Sequence, residues 1–473
     1  MKRLILSILI ISISINCISK TYEVGPSKTY KKPSDVSSLV QDGDIINIDA
    51  GTYTADATAW YSDNLLIRGV GGMAHLNSNG VCVQGKAIWV VAGNNTVIEN
   101  IEFSGATVTD NNGAGIRLEG KDLTIRHCYF HDNENGILAG DNSESDIVIE
   151  FTEFANNGYG DGYTHNMYIN HVKSFTLRFC YTHHAKIGHT VKSRAYSNYI
   201  LYNRIMDEQS GTASMLLDLP NGGFSVVLGN IIMQGPNATN NAIISYGAEG
   251  LTNPQKAIYI VNNTVVNERH TGVFVYVKSG ASSLIANNIF TGVGDSVKAG
   301  IYDSTNLYFS NASDAGLINP DNYDYHLKKS STAIDAGINL GFISAYPLTA
   351  NYEYKEKADS ILREKINNID IGAFEYFYDV GKLELYPKSI SSMVFPNPFS
   401  KQANIKIDGL SINNYPLQLI VFNTVGQIVK TIKIEYPKRE IILKVGNLEK
   451  GTYFYKLKSF ESDFYGYGKF LIY

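Results

Sequence analysis

One short pattern recurs eight times through the middle of this chain: an aliphatic residue, then a small or polar one three places on, then an apolar one five places on. It begins at Ile98, Ile125, Ile149, Leu177, Ile200, Val227, Ile260 and Ile285, at spacings of 27, 24, 28, 23, 27, 33 and 25 residues. A fixed motif at irregular spacing implies rigid rungs joined by loops of variable length. The plus-five positions read Phe103, Phe130, Phe154, Thr182, Ile205, Ile232, Val265 and Phe290, almost all apolar, and the plus-three positions read Ile101, Cys128, Thr152, Cys180, Asn203, Asn230, Asn263 and Asn288. Four successive asparagines at one repeat position are explained if rungs stack at the strand spacing of about 4.8 Å, so that each amide bonds its neighbours above and below at a tight bend. The segments lack helical periodicity and the leucines of a leucine-rich repeat, and an ordinary sandwich would impose no register of residue types. The expected fold is all-β, a single-stranded right-handed parallel β-helix. The same register sets Cys128 and Cys180 two rungs apart, about 10 Å, so they read as small buried hydrophobes rather than a disulfide.

Length supports one elongated domain with an accessory: 473 residues, 44% hydrophobic and 18% charged, exceed one ordinary compact core. With 40 Lys+Arg against 45 Asp+Glu the net charge is −5, so there is no global basic field for a nucleic acid. The 32 Tyr and 20 Phe against 2 Trp favour β structure, and exposed tyrosines would suit stacking on sugars. Lys2 and Arg3 precede an apolar run from Leu4 to Ile15, the proportions of a secretory signal peptide over residues 1–20, with Cys17 leaving a lipid-anchored reading open. Three further cysteines, Cys82, Cys128 and Cys180, make no disulfide framework. After Tyr378 the composition changes. A linker at 379–392 leads into a region, 393–473, whose apolar alternation between Gly and Asn turns predicts a small C-terminal β-sandwich.

Two resemblances add to this layout. Val24-Gly25-Pro26, Val40-Gln41-Asp42-Gly43-Asp44 and Ala50-Gly51-Thr52-Tyr53 resemble the N-terminal turn of exported bacterial β-helix proteins related in shape to pectate lyases. Asn319-Pro320, Asp324-Tyr325-His326-Leu327, Ala333-Ile334-Asp335-Ala336-Gly337 and Asp370-Ile371-Gly372-Ala373-Phe374-Glu375-Tyr376 resemble their closing segment, so the match spans residues 21–378. Phe395-Pro396-Asn397-Pro398-Phe399, Leu419 to Gln427 and Gly451-Thr452-Tyr453-Phe454-Tyr455 resemble the C-terminal sorting domain of the type IX secretion system of Bacteroidota-like bacteria. That resemblance implies the secretion machinery as a partner, passage through periplasm and outer membrane, and release or attachment at the cell surface. A carbohydrate-binding sandwich is the rival reading.

Functional side-chain types gather between His165 and Glu249. Measured from their rung anchors, Tyr168 lies at +19, Lys192 at +15, Arg194 at +17, Asp218 at +18 and Ser245 at +18, on comparable strands of four consecutive rungs. Period-two alternation sends Lys192 and Arg194 to one side, and two cations without an adjacent carboxylate cannot face a dry core. They are therefore expected outward, with Asn166 and Tyr168 beside them and His165 and His189 at the margin. Such a patch suits β-elimination on a uronic-acid polymer, where a cation neutralises the carboxylate, a base removes the proton alpha to it, and an acid protonates the leaving oxygen. Arg194 is the expected neutraliser, Lys192 or His189 the base, with Arg194 depressing the Lys192 amine, and Tyr168 or His165 the acid or base partner. Asn166, Asn221, Tyr246 and Glu249 are expected to bind substrate.

The competing reading is that Lys192 and Arg194 pair with carboxylates such as Asp207, Glu208 or Asp218 and merely solvate the face. The four segments also resemble exported bacterial β-helix proteins often labelled only as repeat-containing, which implies no particular activity. They do not match the Asp/Glu calcium cluster of a pectate lyase. Calcium stays an option through Asp141, Glu144, Asp146, Asp161 and Glu249, and zinc through His165, His183, His184 and His189, although adjacent His183 and His184 on a strand would point to opposite faces. Three functions remain: a lyase on an acidic polysaccharide, a glycoside hydrolase using Asp218 and Glu249, and a non-catalytic glycan-binding surface protein. A monomer is expected.

Overall fold

The computed structural model describes residues 19–295, 301–344, 346–377, 391–408, 417–424, 426–435, 440–459 and 465–473. Residues 1–18 of the expected signal peptide, Cys17 among them, and residues 379–390 of the expected linker lie outside the described residues. The chain divides into two compact units, Met1–Phe377 and Tyr378–Tyr473.

The first unit is a parallel β-solenoid of about ten turns. Its register is the one the repeat predicts. Ile98, Ile125, Ile149, Leu177, Ile200, Val227, Ile260 and Ile285 are paired each to the next on adjacent strands. Phe103, Phe130, Phe154, Thr182, Ile205, Ile232, Val265 and Phe290 form a second row in the same way. All sixteen are 0% exposed. A third row of strands makes a separate nine-stranded sheet, so each complete turn is a three-sided rung.

The bend between the first two rows is the asparagine ladder. Asn203 Nδ2 donates to Asn230 Oδ1 at 3.0 Å, Asn230 to Asn263 at 2.9 Å, Asn263 to Asn288 at 2.9 Å, and the ladder runs one rung beyond the repeat to Asn306 at 2.8 Å. Each carbonyl oxygen also accepts the backbone N–H of the asparagine in the preceding turn. The bend exists because the residue just before the plus-three position adopts a left-handed backbone conformation, with φ of 51° at His127, 49° at Phe151, 58° at Phe179, 54° at Tyr202 and 51° at Asn262. A side chain other than glycine is strained there. Ring stacking offsets part of that cost, with His127–Phe151 centroids 5.0 Å apart, Phe151–Phe179 5.1 Å and Phe179–Tyr202 5.6 Å. Cys128 and Cys180 are free and buried, and burial pushes the Cys128 thiol up to about 12.

The closing segment folds back along the solenoid. Ala315, Leu317, Tyr325, Ala333, Ile371 and Phe374 pack on the outward Met206, Met233, Val266 and Ile289 of the second row. Leu348, Ala350 and Ile369 pack on Leu201, Val226, Leu228 and Val261 of the first. A buried Arg363–Glu375 pair at 2.8 Å ties the Asp370 to Tyr376 motif together, with Arg363 also donating to the carbonyls of Asp370 and Gly372. The second unit comprises a three-stranded and a four-stranded antiparallel sheet sharing one core that includes Ile405, Leu419, Leu443, Leu457 and Phe470, a small sandwich.

The ladder predicts a measurable cost. Asn230→Ala removes the acceptor of two Asn203 donors and one donor to the Ile200 carbonyl in a dry bend, and should destabilise the solenoid by about 3 kcal/mol. An unchanged unfolding midpoint in urea would show that the amide column does not hold the bend.

Candidate active site

The third row carries the predicted side chains in one line. Tyr168 pairs with Lys192, Lys192 with Asp218, Asp218 with Ser245 and Ser245 with Tyr276, across the strands Met167–Ile169, His189–Ser193, Met215–Leu219, Ala242–Tyr246 and Val273–Val277. Their neighbours Ile169, Val191, Leu217, Ile244 and Val275 are core residues, so alternation turns this line outward. Arg194 follows the end of its strand, its N–H bonded to the Ile169 carbonyl at 2.9 Å.

The premise of two cations without an adjacent carboxylate does not survive. Lys192 Nζ lies 3.6 Å from Asp218 Oδ2 and 3.1 Å from Glu249 Oε1, and Arg194 Nη2 lies 2.7 Å from Glu249 Oε2. The patch is balanced in charge rather than basic. Glu249 reaches it from the turn after Tyr246, where Gly247 at φ 79° and Gly250 at φ 125° reverse the chain and the Glu249 N–H bonds the Pro220 carbonyl. Arg194 Nε donates to the Tyr168 hydroxyl at 2.9 Å, and Nη1 donates to Asn221 Oδ1. Asn221 in turn donates to Thr252 at 2.9 Å, so it orients the guanidinium from a buried position.

His165 and His189 form a second layer. The His189 backbone N–H donates to His165 Nδ1 at 3.0 Å, and His189 Nδ1 is 3.2 Å from the same atom. Because a backbone N–H can only donate, we assign His165 Nδ1 as the acceptor and place the proton of His189 on its Nδ1. That leaves the lone pair of His189 Nε2 on the side of Asp218 Oδ2, 3.6 Å away. Burial, with Lys192 adding to it, lowers the His189 ring to about 3, and burial also holds His165 well below the usual histidine range. Burial raises the Asp218 carboxyl against the opposing pull of Lys192. Glu249 is lowered: its partial burial acts upward, and the hydrogen bonds from Arg194 and Lys192 outweigh it.

Several expectations need correction. Asn166 is not outward beside Tyr168: it is 0% exposed, accepts from Asn157 Nδ2 at 3.0 Å, and donates to the His183 carbonyl at 2.8 Å in a second, shorter amide ladder that begins at Asn133. Tyr246 is 0% exposed and donates to the Gly223 carbonyl at 2.6 Å, so neither residue is open to a ligand. Lys192 is flanked by two carboxylates, Asp218 and Glu249, as well as by Arg194, so it does not stand beside a cation alone. His183 and His184 do not point apart, because the backbone bends at His184 (φ 49°) and brings their Nδ1 atoms to 2.7 Å. They form a pair separate from His165 and His189. The acidic residues considered for calcium pair elsewhere, Asp146 with Lys173 at 2.6 Å, Glu144 with Lys121 at 3.7 Å and Asp141 with His171 at 3.6 Å, and no three of them converge among the described residues. They do not fit a calcium site. Of the three carboxylates in the competing reading, Asp218 is the one that lies beside Lys192, and Arg194 takes Glu249 rather than Asp207 or Glu208.

Residues 393–466 match the family described as secretion system C-terminal sorting domain, which marks the chain for export and for secretion or attachment at the cell surface. No curated protein matches the chain. Among solved structures, the crystal structure of pectate lyase Pel9A is similar at a TM-score of 0.53 and 14% identity, covering 76% of this chain and 97% of that one. The alginate lyase from Paenibacillus sp. str. FPU-7 is similar at a TM-score of 0.38 and 14% identity, covering 60% of this chain and 99% of that one. The likeness to pectate lyase Pel9A shows a shared parallel β-helix fold.

The His189 ring makes acid stability a readout of the buried layer. The unfolded chain protonates this ring below about pH 6.5, whereas the folded one resists until about pH 3. Its contribution is therefore complete above pH 6.5 and is lost as pH falls through that window, on the order of 4 kcal/mol by pH 3. His189→Gln should flatten the fall of the urea midpoint between pH 6 and 4, and an unaltered slope would contradict the neutral buried ring.

Proposed function

We propose that the outward face around Lys192 and Arg194 is the active centre of a polysaccharide lyase that cleaves a uronic-acid-containing polymer by β-elimination. The observation that carries this reading is the grip on Glu249, whose two carboxylate oxygens are divided between Lys192 Nζ and Arg194 Nη2. A cation pair already spaced for one carboxylate, and holding one from an exposed turn, can exchange it for the carboxylate of a sugar ring. Glu249 is then a competitor for the site rather than a substrate ligand.

In this mechanism the bound uronate carboxylate lies against Arg194 and Lys192, which stabilise the charge that builds on it as the alpha proton leaves. The lone pair of His189 Nε2 takes that proton. Burial and Lys192 keep the ring neutral, so the Nε2 lone pair is free to accept a proton. The C–H electrons form the new C=C bond, the glycosidic C–O bond breaks, and the Tyr168 hydroxyl, oriented by Arg194, protonates the departing oxygen.

A glycoside hydrolase is the second reading, favoured by one specific feature. Asp218 and Glu249 share one ammonium, and their surroundings push them apart, Asp218 upward and Glu249 downward, as an acid and a base pair require. Glu249→Gln separates the two. The lyase account expects it to lower KM and retain kcat, because a competing carboxylate is removed. The hydrolase account expects activity to vanish.

The assay is the protein with alginate, pectate, glucuronan and glycosaminoglycans, following ultraviolet absorbance of the new double bond together with reducing ends. Both signals should rise, and Lys192→Ala, Arg194→Ala and His189→Gln should each lower kcat/KM by about 10²-fold or more while leaving the unfolded fraction unchanged. Reducing ends without absorbance would replace the lyase with a hydrolase. Neither signal, with retained binding, would make the face a glycan-binding surface.

A further inference from the structure

On a different sheet, nearer the N-terminal end, three turns bring two imidazoles and a carboxylate together. His75, in the strand Leu66–Asn77, is paired with Glu102 in the strand Ile101–Ser104, and Glu102 is paired with Tyr129 in the strand Tyr129–His131. His131 follows Tyr129 by two positions, so alternation returns it to the same face. His75 Nε2 is 3.5 Å from Glu102 Oε1, and His131 Nε2 is 3.0 Å from that same oxygen. All three ligand atoms lie within 4.8 Å of one another, and this is the one such grouping of three among the described residues.

We infer that His75 Nε2, Glu102 Oε1 and His131 Nε2 form a binding site for a divalent transition-metal ion of the zinc class, joining three successive turns of the solenoid. Bonds of about 2.05 Å to a tetrahedral ion set ligand atoms about 3.3 Å apart, and the two close separations fall on either side of that value. Two imidazole nitrogens and one carboxylate oxygen suit zinc and its neighbours and not the all-oxygen preference of calcium or magnesium.

A second observation points the same way. His131 Nδ1 is 2.8 Å from Asp132 Oδ2, the carboxylate contact that fixes a metal-ligating ring with its other nitrogen turned to the ion. His75 Nε2 is also 2.7 Å from Ser104 Oγ, a bond that an ion would replace, leaving the hydroxyl beside a fourth, open position. The side chains of His75, Glu102 and His131 are 22%, 25% and 18% exposed, so an ion has a path in and water can complete its shell. With three protein ligands and an open position, the site has the composition of a reactive zinc centre as well as of a staple between turns.

The test uses the full chain, stripped with a chelator and then titrated by calorimetry with ZnCl2, with CaCl2 and MgCl2 as comparisons. One zinc per chain at micromolar or tighter Kd is expected, with no heat from calcium or magnesium at the same concentrations. His75→Ala, His131→Ala and the milder Glu102→Gln should each weaken binding at least tenfold, whereas His184→Ala, in the separate histidine pair, should leave it unchanged. Co2+ should give the visible absorption of a four- or five-coordinate ion, lost in His131→Ala. Zinc binding that survives in the folded Glu102→Gln and His75→Ala proteins, or that disappears only with His184→Ala, would overturn the assignment. So would no binding at all, which would make the cluster a hydrogen-bonded row on the surface.

Discussion

A buried side-chain amide that must find its partner exactly one turn away governs this solenoid. Asn203, Asn230, Asn263 and Asn288 are fully buried, and each is satisfied only if the next turn repeats the same residue at the same height. Loops can lengthen or shorten between turns, but the bend cannot shift by one residue without exposing polar atoms to a dry core and turning every side chain to the opposite face. The left-handed residues at the same bend belong to the same constraint, and in the earlier turns their rings stack on one another.

From that bend follow the three rows, and from the rows the place where chemistry can occur. The closing segment spends its apolar residues on the outward faces of the first and second rows in the later turns. The third row keeps its outward line of Tyr168, Lys192, Asp218, Ser245 and Tyr276. On that line charge is compensated internally, and the compensation is itself informative. Asp218 is buried and fixed by the strand register, whereas Glu249 is 46% exposed on a turn.

Much of this was legible in the residues. The rung anchors, the apolar second row and the amide ladder were readable because stacking converts sequence position directly into contact. Tyr168, Lys192, Asp218 and Ser245 could be placed on one line for the same reason. What escaped was set by local bends and by distance along the chain. Alternation was extended back to Asn166, but the strand begins at Met167 and Asn166 belongs to a bend. The same alternation, applied forward from Ser245, would have turned Tyr246 inward. Glu249 sits in the longest spacing of the repeat, the 33 residues from Val227 to Ile260, and a sequence does not show where such an inserted turn folds. The His75, Glu102 and His131 cluster was also hidden, because His75 precedes the first recognised anchor.

The most direct measurement is a crystal structure of the protein soaked with a uronate tetrasaccharide that it cleaves slowly or not at all, such as one bound to the His189→Gln variant. The account predicts a sugar carboxylate between Lys192 and Arg194, Glu249 swung out toward solvent, and position 189 facing the carbon that bears the acidic proton. An oligosaccharide held elsewhere, with Glu249 still bridging both cations, would contradict it.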